Sequence, residues 1–226
     1  MTFNRIMFLD SETTGFDPKV DRCIEVAACL YDVGLAAPVS TFASLLKSDT
    51  NAAESINNIS PALLVDATPA EKVWPFVERM ASRADVIVAH NADFDRGFVT
   101  ETLRVLKPWA CSCNDMPWPV GKPRSSAVNL ALAHGLAVFS AHRALTDVDL
   151  LVRIFQAATK AGTDIQRLLT LAVRPKTLVI ACVPYDKKDE AKAAGFVWNE
   201  IIAKEWCRWM PLEDVDALPF KVRWDT

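Results

Sequence analysis

Five residues in three short stretches carry side chains suited to one piece of chemistry. Asp10 and Glu12 stand in Met7-Phe8-Leu9-Asp10-Ser11-Glu12-Thr13-Thr14-Gly15, and Asp95 in His90-Asn91-Ala92-Asp93-Phe94-Asp95. His142 and Asp147 stand in His142-Arg143-Ala144-Leu145-Thr146-Asp147. In extended chain, residues i and i+2 share a face, so both acids of the first stretch can reach one point. Four carboxylates gathered at one point cannot all stay ionised without a strong counter-charge, which two hard divalent cations would supply. A histidine near them titrates close to neutrality and suits proton transfer. Singly, each signal is weak: an Asp-x-Glu is usually a solvated strand end, and an acid in a first helical turn answers the helix dipole without further purpose.

Together and in this order, the three stretches resemble the DEDDh branch of the DnaQ-like, RNase H-like 3′–5′ exonucleases. The resemblance implies that Asp10, Glu12, Asp95 and Asp147 bind metal, as two Mg²⁺ or Mn²⁺ ions, with Asp10, Glu12 and Asp147 around one ion and Asp10 and Asp95 at its companion. It makes His142 the general base and, with the four acids, completes the catalytic set. Thr13, Thr14, His90 and Asn91 fall to substrate binding. The family pattern selects the acid directly after Phe94, so Asp95 takes the metal role and Asp93 reads as a helix cap. A branch that uses tyrosine four residues before the last acid does not fit, because that position is Arg143 and the tyrosines are Tyr31 and Tyr185.

The implied reaction is metal-dependent release of 5′-mononucleotides from the 3′ end of DNA, with single-stranded ends preferred. RNA is the enzymatic alternative, since discrimination rests on contacts to the 2′-hydroxyl that the motifs do not contain. A second alternative is a proofreading or trimming subunit acting mainly within a polymerase or other nucleic-acid-processing complex. A third is a non-catalytic nucleic-acid module, against which the complete acid set speaks. The partners implied are nucleic acid 3′ ends, with room for a polymerase or sliding-clamp partner and for a homodimer. Gln166-Arg167-Leu168-Leu169-Thr170-Leu171 loosely resembles a clamp-binding peptide, although leucines at helical spacing more often serve packing.

Bulk properties agree. The chain has 226 residues, is 51% hydrophobic and carries a net charge of −3. That charge opposes tight binding of long duplexes and suits brief handling of a strand end. No charged-then-apolar leader and no membrane-length apolar run is expected, and the six cysteines include no CxxC pair, which points to a cytoplasmic chain with reduced thiols. Cys111-Ser112-Cys113 alone is a weak zinc signal.

The elements that must position these residues read as follows. Arg5–Asp10, Cys23–Tyr31 and Val39–Leu46 form an early strand meander. Ser60 caps a helix that starts at Pro61, and Thr68 caps another over 69–83. Asp85–Ala89 is a strand, and Phe94–Leu106 has helical spacing. A Pro- and Trp-rich loop around one short strand fills 108–124. Helices over 125–134 and 143–161 stop at Gly135 and Gly162. This is an α/β domain over 1–162, an RNase H-like mixed five-stranded sheet flanked by helices, with a connecting helix at 163–174. A small α+β domain follows over 175–226, in which Trp198, Trp206 and Trp209 read as core rather than as base-stacking residues. His134 reads as a helix-end residue. Glu25, inside an apolar strand, reads as an outlying acid and stays outside the expected site.

Overall fold

The computed structural model describes residues 2–100, 102–122, 124–138 and 143–224. The chain divides into two compact units, Met1–Val173 and Arg174–Thr226.

In the first unit, β1 (Arg5–Thr13), β2 (Cys23–Asp32) and β3 (Ala37–Leu45) form the expected antiparallel meander, and β4 (Val86–Ala89) and β5 (Trp109–Cys111) add in parallel, giving the order β3-β2-β1-β4-β5. Strand β1 is central and apolar on both faces, as a strand covered on both sides must be. Ile6 and Phe8 point into one core with Ala27, Cys29, Tyr31, Val86 and Val88. Met7 and Leu9 point into the other with Val26, Ala28, Leu30 and Ile87.

The first core is closed by α5 (Ala127–Ala133), α6 (Ala144–Lys160) and α7 (Ile165–Ala172), the second by α3 (Ala70–Ser82). Helix α6 buries Ala144, Val148, Leu151, Phe155 and Ala158, a stripe at three- and four-residue spacing. Phe155 meets Phe8 edge-on at 4.8 Å and Trp118 at 5.3 Å. Such pairs add to the area they bury.

Local differences from expectation have local causes. Strand β1 runs on to Thr13, so the whole Asp-Ser-Glu stretch lies in the strand. Ser60 does cap, accepting from the Ala62 amide ahead of α2 (Pro61–Leu64), and a short α1 (Glu54–Asn57) precedes it. Thr68 does not cap α3: it bridges Leu46 in parallel and its carbonyl accepts from Lys47, leaving Pro69 at the cap position without a side-chain bond. Helix α4 (Ala92–Val99) starts earlier and stops well before Leu106. The Thr100 hydroxyl bonds back to the Arg96 carbonyl, the competition that makes threonine a poor helix continuer. Asp93 is an exposed partner of Arg96 rather than a cap. The 163–174 segment holds α7, whose Ile165, Leu168, Leu169 and Ala172 are buried while Gln166 exchanges two hydrogen bonds with the backbone of Phe3. Leu168 and Leu169 of the clamp-like peptide are thus spent on packing.

The second unit is an antiparallel sheet, β7 (Val197–Trp198), β8 (Trp206–Met210), β6 (Thr177–Ala181) and β9 (Val222–Trp224) in that order, with α8 (Lys188–Ala193). Val179, Ala181, Ala191, Phe196 and Met210 form its core. Trp206 packs against that core as expected, but Trp198 and Trp209 are about half exposed. Trp198 sits on an edge strand, and Trp209, next to inward Met210, points to the other face. No helix among the described residues is long and apolar enough to cross a membrane.

Because Phe155 is fully buried between Phe8 and Trp118, Phe155→Ala should cost about 3–5 kcal/mol of stability. Urea unfolding of the full chain measures this, and a loss below about 1 kcal/mol would contradict the packing described.

Candidate active site

Period-two alternation carries the apolar face of β1 into an acidic one. Phe8, Asp10 and Glu12 follow one another on the side covered by α6, so the same geometry that buries Phe8 delivers two carboxylates beyond it. Asp147 arrives from the first turn of α6, its amide bonded to the Arg143 carbonyl at 3.0 Å. Carboxylate oxygens of Asp10, Glu12 and Asp147 all lie within 4.8 Å of one another.

Asp95 enters from the other side of the strand. Strand β4 pairs with β1 only through Ile6, Met7 and Phe8, so β1 outruns its parallel neighbour. The Ser11 amide, left without a ladder partner there, donates to Asp95 Oδ1 at 2.9 Å, and the Ser11 hydroxyl donates to the same oxygen at 2.7 Å. Asp95 is buried and sits in the first turn of α4, where the helix dipole favours its charge. The two bonds locate one oxygen beside β1.

The electrostatics show how crowded the acids are. Burial raises the Asp10 carboxyl well above its ordinary range, and Asp95, Asp147, Glu12 and Glu25 raise it further. Glu12 is pushed up to about 7 by burial and then by Asp147, Glu25 and Asp95, with Arg143 opposing. Asp95 is also pushed up to about 7 by burial, against the two Ser11 bonds that hold it down. An all-oxygen, hard donor set that must shed protons to function fits a divalent cation of the magnesium or manganese kind. Asp10, Glu12 and Asp147 could hold one ion, and Asp95 lies close enough to interact with Asp10.

The other expected residues are placed as follows. His142 lies outside the described residues. The Thr13 hydroxyl donates to the Gly15 carbonyl at 2.5 Å, and the Thr14 hydroxyl donates to Asp21 and accepts from the Arg22 amide. Both hydroxyls therefore shape the turn that follows the acids. Gly15 lets the chain pass close to Asp21, since a Cβ would stand 2.4 Å from its carboxylate, which the Thr14 hydroxyl and the Asp17 amide hold. His90 Nδ1 pairs with the Ser112 hydroxyl at 2.9 Å, and burial keeps its ring pKa low. Asn91 adopts a left-handed backbone at φ 68° ahead of α4, a conformation asparagine tolerates better than most residues.

Sequence reasoning missed two features. Glu25 faces Glu12 directly across the β1–β2 ladder and binds Arg143 through both carboxylate oxygens. The signal was an acid between Ile24 and Val26 in a buried strand, but its meaning depends on register. Phe16, 75% exposed, begins an aromatic row with Phe94 at 6.3 Å and Phe98 a further 5.1 Å on. An exposed phenylalanine offers a flat apolar face of the kind on which a base can stack.

Comparison with known proteins agrees with this geometry. A family model described as Exonuclease matches residues 7–155, and a domain of unknown function matches 177–224. The chain is 31% identical over 157 residues to DNA polymerase III subunit epsilon of Treponema pallidum, covering 65% of this chain and 72% of that one. It is 29% identical over 167 residues to DNA polymerase III PolC-type of Thermotoga petrophila, of which it spans only 11%. Among solved structures, Exonuclease X in complex with 5′ overhanging duplex DNA superposes with a TM-score of 0.55 at 24% identity, covering 74% of this chain and 99% of that one. Exonuclease I superposes at 0.59 with 16% identity, covering 79% and 48%. The shared architecture is the RNase H-like fold.

The raised carboxyls predict a pH-dependent response to metal. In the metal-free folded state Glu12 and Asp95 keep protons up to about pH 7, whereas the unfolded chain releases them near 4 to 5. The folded state thus binds more protons in that interval, and this part of its stability declines as pH rises through it. Divalent cations, which replace the protons, should raise the thermal midpoint far more at about pH 8 than at about pH 5. Calorimetry with Mg²⁺ or chelator measures the difference, and equal stabilisation at both pH values would contradict the assignment.

Proposed function

The chain belongs to the DnaQ-like 3′–5′ exonuclease family, and from that premise we propose that it removes 5′-mononucleotides from the 3′ end of DNA, with single-stranded ends preferred. The observation that carries the reading is the meeting of Asp10, Glu12 and Asp147 at one point, with Asp95 fixed beside them by Ser11. In this reading Asp10, Glu12 and Asp147 hold one Mg²⁺ or Mn²⁺, and Asp10 and Asp95 hold a second. When bound, the two ions lower the cost of forming hydroxide and of building negative charge on the departing 3′ oxygen.

The chain's own residues do the rest. His142 takes the proton of the attacking water, a role that suits an imidazole near neutral pH. The turn shaped by Thr13, Thr14 and Gly15, together with His90 and Asn91, receives the terminal nucleotide. Exposed Phe16, backed by Phe94 and Phe98, stacks on its base. The net charge of −3 suits short engagement of a strand end over tight binding along a duplex. Relatives named DNA polymerase III subunit epsilon and DNA polymerase III PolC-type support a cytoplasmic setting beside a DNA polymerase.

The test uses 5′-labelled DNA and RNA oligonucleotides, single-stranded and duplex, with Mg²⁺ or chelator. The expected result is a metal-dependent ladder shortening from the 3′ end, fastest on single-stranded DNA. Asp147→Asn should lower the rate roughly 100-fold or more, exceeding the usual effect of a residue that only supports a ligand. His142→Ala should lower kcat about 10²–10⁴-fold. Full metal-dependent activity in Asp147→Asn would sink the site assignment, and faster shortening of RNA would move the substrate to RNA.

A further inference from the structure

We propose that Glu25 and Arg143 form a clamp that positions Asp147 for metal binding, and that they govern turnover without touching substrate. The proposal rests on the exonuclease reading above and adds to it two positioning residues.

Glu25 is 5% exposed, and its neighbours Ile24, Val26, Ala27 and Ala28 are fully buried apolar residues. An apolar side chain at this place would avoid the cost of burying a carboxylate. The position is worse than merely buried, because Glu12 stands directly opposite on β1 and like charges across a ladder repel. What the acid gains is three hydrogen bonds at the start of α6. Arg143 Nε donates at 3.0 Å, Arg143 Nη2 at 2.7 Å, and the Ala144 amide at 3.0 Å.

These bonds perform a specific task. Ala144 is the first residue of α6, and its amide is one of the donors a helix cannot satisfy internally. Arg143, in the cap position, offers no side-chain bond to the helix. The cap therefore comes from another strand: Glu25, 119 residues away in sequence from Ala144, accepts that amide. A planar, two-pronged grip on Arg143 fixes direction as well as distance. Asp147 hangs one turn below, bonded to the Arg143 carbonyl at 3.0 Å. Fixing Arg143 and Ala144 against β2 thus fixes Asp147 against the Asp10 and Glu12 of β1.

The test compares Glu25→Gln, Arg143→Lys and the double variant with the wild-type full chain. Glutamine keeps the shape but turns an NH₂ group toward a donor, and lysine keeps the charge but loses the fork. Mn²⁺ affinity is read by electron paramagnetic resonance, kcat and KM on a single-stranded oligonucleotide, and folding by thermal midpoint. Each single variant should lower kcat and weaken Mn²⁺ binding by about 10–100-fold. KM should stay within about twofold, and the double variant should lose no more than the worse single one, because the two residues act as a unit. Lower thermal midpoints with unchanged kcat and Mn²⁺ affinity would overturn the proposal and leave the pair as a fold staple. Arg143 is part-exposed, so Arg143→Lys decides the matter even if Glu25→Gln folds poorly. An inactive wild type would fail the exonuclease reading alone, and Mn²⁺ affinity would still judge the clamp.

Discussion

Crowding of like charge at one end of β1 is the constraint around which the first unit is built. Asp10, Glu12 and Asp147 share one small volume, Asp95 and Glu25 add to its field, and burial weakens the screening that water would provide. Left alone, such a cluster would protonate or push its elements apart. The fold prevents the second by rigid attachment: two acids ride on a central strand covered on both faces, and the others are tied down by hydrogen bonds at helix starts. The first outcome is the lever for function, because protons held by crowding are protons a cation can displace.

The attachments are economical. Strand β1 outruns β4, which exposes the Ser11 amide, and that amide becomes the anchor for Asp95. Helix α6 starts without a cap of its own, and Glu25 supplies one while gripping Arg143. In each case an unsatisfied backbone donor at the edge of a regular element is used to locate a carboxylate. Phe94, the residue before Asp95, joins Phe16 and Phe98 in an aromatic row that begins within the same helical turn.

How much of this was legible in the sequence follows from the range of the physics involved. Asp10 and Glu12 could be paired from their spacing because strand periodicity is local, and the meander could be read from three apolar runs. The sheet, its helices and the meeting of Asp147 with the first pair follow from patterns of that kind combined with family resemblance. Glu25 was opaque because its meaning lies in register: only the ladder shows that it faces Glu12 and reaches Arg143. Thr68 failed as a cap for a similar reason, since a distant bridge to Leu46 claimed it. Apolar spacing extends helix α4 to Leu106, and the back-bonding of Thr100 is a competing signal of shorter range. In the second unit, a small domain short of other apolar mass favours Trp198 and Trp209 as core, and face and edge decide otherwise.

On the proposed function, these carboxylates hold two divalent cations at the scissile end of a nucleic acid strand. Crystals of the full chain soaked with Mn²⁺ and a 5′-mononucleotide test it most directly through anomalous scattering. The account predicts two peaks, one within reach of Asp10, Glu12 and Asp147 and one between Asp10 and Asp95, with the nucleotide phosphate against both. A cluster without metal, with the acids retaining their protons at neutral pH, would contradict it.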